Sequence, residues 1–109
     1  MDSDPTYSMN KRIIKLMPDY QCWPLWEAGG DQVGNIDPHT LPLKSETIET
    51  LERWSKIFDS WMNLDDPPSG PEPSKKQVHE FNDEGKKLAK TLQKELGKAF
   101  QIIHDRKFK

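Results

Sequence analysis

Apolar residues recur at steps of three and four along two stretches of the chain, which predicts two amphipathic helices. The first helix begins at Ser45, a capping residue type, and ends near Asn63 before a Pro-rich turn. The second begins at a capping box, Ser74-Lys75-Lys76-Gln77, and ends at Gly97. Their apolar stripes are Ile48, Leu51, Trp54, Phe58, Trp61 and Met62 in the first helix, and Val78, Phe81, Gly85, Leu88, Leu92 and Leu96 in the second.

Two short apolar runs flank this helix pair and predict strands. Residues 13–17 are apolar at odd and even positions, which indicates a strand buried on both faces. Residues 100–103 form the second run. Because a right-handed connection can return the chain beside its starting strand, we expect the two strands to be adjacent and parallel. Gly85 in the second stripe predicts a close approach to the first helix, since glycine otherwise disfavours helix.

Residues 18–43 form a long segment with four Pro and three Gly, which excludes a helix there. Residues 33–36 could add one short strand, and the Trp residues of the segment are expected to cover the sheet face that the helices leave open. The expected fold is a small α+β domain with a β-α-α-β arrangement and a long Pro- and Trp-rich loop. We expect one domain over residues 1–109, with a core over 11–104 and a flexible start over 1–10.

Composition narrows the class of protein. Of the 109 residues, 22 are Leu, Ile, Val or Phe, enough for one small core. No run approaches the roughly 20 apolar residues of a membrane helix, and the first residues do not resemble a secretory signal. Cys22 is the single cysteine, so an internal disulfide is excluded. These features predict a cytoplasmic domain.

Candidate catalytic chemistry is sparse. The histidines, His39, His79 and His104, have no metal-ligand spacing with one another or with Cys22. Cys22 is better explained as an inert buried thiol than as a nucleophile. The adjacent acids Asp65-Asp66 fit a turn before Pro67 better than an acid–base pair. We therefore expect no enzymatic activity, no cofactor and no metal.

The net charge of −2 conceals a partition along the chain. Residues 16–72 carry 11 acidic and 3 basic residues, whereas residues 73–109 carry 5 acidic and 10 basic ones. The acidic part, with Trp23 and Trp26 among its acids, suits a basic protein partner. The alternative, which we favour for Trp23 and for Trp26 taken singly, is that the side chain fills the core. The Lys-rich second helix offers a nucleic-acid-binding alternative, but seven Lys without Arg suit base readout poorly, so direct nucleic-acid binding is not expected.

Several motifs are shared with one family of small bacterial proteins, and together they span roughly residues 11–104. The motifs are Arg12-Ile13-Ile14-Lys15-Leu16-Met17-Pro18-Asp19-Tyr20, Cys22-Trp23-Pro24-Leu25-Trp26, Gly34-Asn35-Ile36-Asp37-Pro38, Leu41-Pro42-Leu43, Phe58-Asp59, Asn63-Leu64-Asp65-Asp66-Pro67, and Phe81, Gly85, Leu88, Leu92 and Glu95-Leu96-Gly97. In these motifs the chain resembles immunity proteins of contact-dependent growth inhibition and other polymorphic toxin systems.

This resemblance implies that the protein binds and neutralises a cognate toxin domain, without catalysis, in the cytoplasm of the producing cell. The expected partner is the C-terminal domain of the toxin, a basic nuclease. The candidate toxin-binding residues are Trp23, Trp26, Glu27, Asp31, Asp37, Asp65, Asp66 and Glu72.

Overall fold

The computed structural model describes residues 11–19, 21–29, 34–61 and 73–104, in which two helices pack on a three-stranded mixed sheet. The elements in chain order are β1 (Arg12–Leu16), β2 (Leu25–Glu27), a 3₁₀ turn (Pro38–Thr40), α1 (Ser45–Asp59), α2 (Lys75–Leu96) and β3 (Phe100–His104). This arrangement confirms the predicted α+β class. The predicted flexible start over residues 1–10 lies outside the described residues. No helix among the described residues is long and apolar enough to cross a membrane.

The sheet has the order β2-β1-β3, with β1 at its centre. Strands β1 and β3 are parallel, in a register that pairs Ile14 with Ile102, which confirms the predicted pairing. Strand β2 was not predicted and pairs antiparallel with β1, with Leu25 opposite Leu16. The strand expected over residues 33–36 is reduced, in its described part, to a single bridge between Asn35 and Trp26, while Val33 lies outside the described residues.

The helices cover only one face of the sheet, so the prediction that β1 is buried on both faces was wrong. Ile14 and Leu16 are fully buried beneath the helices, whereas Ile13 and Lys15 on the opposite face are only half-buried. Gly29 packs against Ile13, which gives part of the cover expected from the loop. Ile103 of β3 nevertheless remains 40% exposed. The alternation arises because successive side chains of a strand point to opposite faces.

An aromatic contact joins the two helices at the centre of the core. The Trp54 ring stacks on Phe81 at a centroid distance of 4.4 Å and an interplanar angle of 6°. The Trp54 indole N–H also donates to the main-chain carbonyl of Phe81, at 2.9 Å, so this buried polar group is satisfied. Trp61 packs edge-on against Phe81, with centroids 5.2 Å apart. Burial of the predicted stripes therefore fixes α1 against α2.

The N-terminus of α1 is capped from α2 rather than by Ser45, which is the first helical residue and not the cap. The Lys44 amide donates to Glu95 Oε1 at 3.0 Å, and the Thr47 hydroxyl donates to Glu95 Oε2 at 2.6 Å. A carboxylate at this end of a helix is favourable because the free amides carry partial positive charge. One acidic side chain therefore satisfies and orients the start of the neighbouring helix.

The other helix ends follow local chemistry. The predicted capping box is confirmed, since Gln77 N donates to Ser74 Oγ at 3.1 Å and Ser74 N donates to Gln77 Oε1 at 2.8 Å. Gly97 ends α2 with φ of 81°, as predicted for a residue that must leave the right-handed helix. Helix α1 ends at Asp59, four residues before the predicted end at Asn63, which lies outside the described residues.

The outer edge of β3 is occupied by a side chain of α2. Gln93 Nε2 donates to the Phe100 carbonyl at 2.8 Å, and Ile102 N donates to Gln93 Oε1 at 2.9 Å. The same Nε2 lies 3.2 Å from the Gly97 carbonyl. A primary amide presents one donor and one acceptor side by side, like a peptide group of a neighbouring strand. Gln93 thereby pairs main-chain groups that the edge strand would otherwise present to solvent.

Gly85 marks the closest approach of α2 to the rest of the core, which confirms its predicted role. A Cβ there would lie 2.8 Å from Trp54 Cζ2 and 2.7 Å from His104 Nε2. We expect Gly85→Ala to lower the free energy of unfolding by about 1–3 kcal/mol through overpacking, despite the better helix propensity of Ala. Urea denaturation measures the change, with Thr91→Ala on the exposed face as control. A Gly85→Ala variant more stable than wild type would contradict this packing.

The carboxylate cap predicts a pH dependence of stability. Burial alone would raise the pKa of Glu95, but hydrogen bonds from Thr47 and the Lys44 amide, together with the Lys44 charge, outweigh it and lower the pKa below its ordinary 4.5. The stabilisation is therefore complete above the ordinary pKa and is lost as pH falls through the lowered one.

We expect Glu95→Gln to lower the free energy of unfolding at pH 7 by about 0.5–1 kcal/mol, because the charge at the helix terminus is lost. The difference from wild type should vanish as the solution is acidified below the lowered pKa. Chemical denaturation across this pH range tests it, with the exposed Glu80→Gln as control. A difference that persists unchanged in acid would show that the charge of Glu95 is not responsible.

Candidate functional site

A cleft of 520 Å³ lies between the turn that precedes β2 and one side of α1. Trp23 lines it and is 43% exposed, which is unusual for so large an apolar side chain. We call it the Trp23 cleft. Its lining residues are Gln21, Cys22, Trp23, Pro24, Asn35, Glu52, Ser55, Lys56 and Asp59.

Side chains of α1 hold the turn in place. Gln21 adopts a left-handed conformation, with φ of 56°. Its main-chain N–H donates to Asp59 Oδ1 at 3.0 Å. The Ser55 hydroxyl donates to the Cys22 carbonyl at 3.2 Å. Ser55 and Asp59 are one helical turn apart, so both reach the same side of α1. The orientation of the turn thus depends directly on the position of the helix.

Asn35 fixes the main chain of Trp23 from the opposite side. Its Oδ1 accepts from Trp23 N at 2.9 Å, while its Nδ2 donates to the carbonyls of Trp23 at 2.6 Å and Leu25 at 2.9 Å. These three bonds use both the donor and the acceptor of the amide. The backbone that carries the exposed indole is therefore held by both α1 and Asn35.

The tryptophans have different roles. Trp54 is 1% exposed in the core, and Trp26 is half-buried with its indole N–H donating to the Met17 carbonyl at 3.0 Å. Trp23 lines the cleft at the surface. The expectation that both Trp fill the core is therefore wrong for Trp23, whereas Trp26 packs on the helix-free face of β2.

Carboxylates give the Trp23 cleft a negative potential. Burial raises the pKa of the Cys22 thiol, and the negative charges of Asp19 and Asp59 raise it further. The thiol therefore stays protonated at neutral pH, which is the opposite of an activated nucleophile. Glu52 and Lys56 also line the cleft, so Lys56 offsets part of the negative charge.

Asp37 and His39 belong to the 3₁₀ turn, which lies beside Glu52 of α1. Asp37 Oδ1 accepts from the His39 amide at 2.9 Å and lies 2.8 Å from His39 Nδ1, and these bonds lower the pKa of Asp37. The hydrogen bond to Asp37 raises the pKa of His39. Burial opposes this rise, and the charges of Asp37 and Glu52 add to it. His39 Nε2 is 3.9 Å from Glu52 Oε2. Asp37 is thus tied to a turn, with its side chain partly exposed.

The remaining candidate residues do not join this cleft within the described part of the chain. Glu27 forms an ion pair with Arg12, whose Nε lies 3.1 Å from Glu27 Oε2, so its charge is offset. The other predicted contacts, Asp31, Asp65, Asp66 and Glu72, lie outside the described residues.

The sequence analysis did not predict Glu52 or Asp59 as contacts, although both belong to the acidic part of the chain. Their signal was available: Glu52, Ser55 and Asp59 are three and four residues apart and so share one side of α1.

Other surfaces show less specific chemistry. A second cleft of 370 Å³ lies between α1 and α2, where Ile57 is 41% exposed. The seven lysines of the basic segment, 75–98, are all exposed. Glu95, an acid within this segment, caps α1. Among the described residues, no three His, Cys, Asp or Glu side chains come together as a metal site.

Comparison with known families places this geometry in context. Residues 12–107 match the family described as Serratia CdiI immunity protein-like. The chain belongs to this family. The family is named for immunity proteins of contact-dependent growth inhibition, so membership implies a cognate toxin protein as partner. A comparison with curated proteins gives no match.

The hydrogen bonds of Asn35 with the main chain of Trp23 and Leu25 predict a loss of stability when this side chain is removed. We expect Asn35→Ala to lower the free energy of unfolding by about 1–3 kcal/mol, because three hydrogen bonds are lost and main-chain groups are left to find new partners. Urea denaturation measures the loss, with the exposed Gln101→Ala on β3 as control. If Asn35→Ala unfolds at the wild-type midpoint, the amide does not hold the turn.

Proposed function

We propose that this immunity protein neutralises its cognate toxin domain by forming a tight stoichiometric complex in the cytoplasm of the producing cell. The Trp23 cleft and the neighbouring Asp37 form the binding surface. The observation that supports this most is the exposed indole of Trp23, held on a braced turn and flanked by the carboxylates of Glu52 and Asp59. Large exposed aromatic side chains are typical of residues that dominate protein interfaces.

A braced surface favours tight binding. Ordering a loop on association costs free energy, and that cost is avoided when the loop is already held in the free protein. The contacts of Gln21 with Asp59 and of Trp23 with Asn35 provide this order. Immunity by stoichiometric inhibition requires that the toxin rarely dissociates, so a pre-ordered surface suits this role.

The negative potential of the cleft supports a basic toxin, and we propose that this toxin is a nuclease. An enzyme that cleaves nucleic acid must bind a phosphate backbone, which calls for Lys and Arg around its substrate cleft. Complementary charge speeds the encounter of two proteins and disfavours wrong partners. The candidate acids Asp31, Asp65, Asp66 and Glu72 remain part of the proposed surface, with Glu27 and Trp26 at most at its margin.

The proposal predicts a selective effect of Trp23 on toxin binding. Trp23→Ala should weaken binding of the toxin domain encoded by the neighbouring gene by at least about ten-fold, because an interface anchor is lost. Isothermal titration calorimetry measures the affinity, and growth on toxin co-expression measures protection.

Ile57→Ala is the matched control, since Ile57 is equally exposed but lies outside the Trp23 cleft. It should bind and protect like wild type. Absence of binding between the wild-type protein and the neighbouring toxin domain would refute the proposed function. Equal losses for Trp23→Ala and Ile57→Ala would refute the placement of the surface.

A further inference from the structure

We propose that the Trp23 cleft receives an arginine side chain, with the guanidinium against the Trp23 indole and paired with Asp59 and Glu52. This inference rests on the proposed function for the identity of the protein that carries the arginine. The chemistry of the cleft can be tested without that protein.

The charges that line the cleft call for a cation. Asp59 and Glu52 lie seven residues apart on one side of α1, and Asp19 adds a further negative charge near the Cys22 thiol. Among the described residues, Lys56 is the only basic one that lines the cleft. Asp59 Oδ1 accepts a hydrogen bond from the Gln21 main-chain N–H, which fixes the carboxylate at the wall of the cleft. The site therefore presents at least one fixed carboxylate, that of Asp59.

The exposed indole selects guanidinium over ammonium. Arginine stacks its planar group on aromatic faces and pairs with carboxylates through two parallel N–H donors, whereas lysine offers a compact and strongly hydrated charge. Tryptophan is the strongest aromatic partner for a cation. An aromatic wall and a carboxylate wall in one cleft thus match the two recognition modes of arginine.

The ammonium group of Lys56 competes with an incoming arginine for the carboxylates of the cleft. Its side chain is exposed and lines the same cleft as the two carboxylates, so its charge lowers their attraction for an incoming cation. Removal of this charge should strengthen arginine binding, whereas removal of a carboxylate should weaken it. The two opposite effects separate a specific cation site from general loss of structure.

The experiment uses the full-length ¹⁵N-labelled protein and N-acetyl-L-arginine amide as probe. We expect the probe to shift the NMR signals of the Trp23 indole N–H and the Gln21 amide. N-acetyl-L-lysine amide should cause smaller shifts, and the uncharged citrulline analogue should cause none. If arginine leaves these signals unchanged up to its solubility limit, or if citrulline shifts them equally, the inference is overturned.

Three variants and a control sharpen the test. Asp59→Asn keeps an oxygen acceptor for the Gln21 amide but loses the charge, and Trp23→Leu keeps an apolar side chain but loses the indole. Each should weaken binding of the arginine probe by about two- to five-fold. Lys56→Gln should strengthen it, and Glu49→Gln, an exposed acid of α1 that does not line the cleft, should leave it unchanged.

Failure of this inference and failure of the proposed function give different results. Calorimetry with the toxin domain tests immunity binding, and the arginine probe tests the cleft. Tight toxin binding with no arginine response would leave the proposed function standing and remove the arginine site. An arginine response that changes as expected in the three variants and not in the control, with no toxin binding, would retain the site and reject the toxin as its partner.

Discussion

The contact between Trp54 and Phe81 is the constraint on which the rest of the structure depends. It joins α1 to α2 through ring stacking and through a hydrogen bond from the indole to the main chain of the other helix. Gly85 leaves the space that the Trp54 ring occupies. Once α1 is fixed in this way, its opposite side presents Ser55 and Asp59 to the Trp23 turn. The order of the Trp23 cleft therefore depends on the packing of the core.

Much of this framework could be predicted because its signals are local. Both helices and the parallel pairing of β1 with β3 follow from periodicity and from the connection between the two strands. Strand β2 could not be found, since its three residues lie between Pro24 and Gly29 and are ordered by pairing with β1. The cap of α1 was also hidden, because Glu95 is 51 residues from the amide of Lys44 that it accepts. Such contacts depend on the tertiary arrangement and leave no periodic trace.

The candidate site was predictable in kind but only partly in detail. Charge partition and aromatic residues indicated an acidic surface with a Trp anchor, yet they could not distinguish Trp23 from Trp26. That difference depends on position: Trp26 lies within β2 and its indole donates to the Met17 carbonyl, whereas Trp23 lies on the turn that precedes this strand. Asp37 carries its charge beside the cleft. The ion pair of Glu27 with Arg12 could not be predicted, because it forms only where β1 and β2 are adjacent.

The side chain of Gln93 has a consequence for how this protein meets other chains. By pairing with Phe100 and Ile102 it supplies the hydrogen bonds that a fourth strand would make, and the sheet stops at three strands on this side. Another polypeptide can extend the sheet along these residues only by displacing an amide that is already satisfied. Recognition is thereby directed away from backbone pairing, which any sequence can perform, and toward side-chain chemistry, which can tell one partner from another.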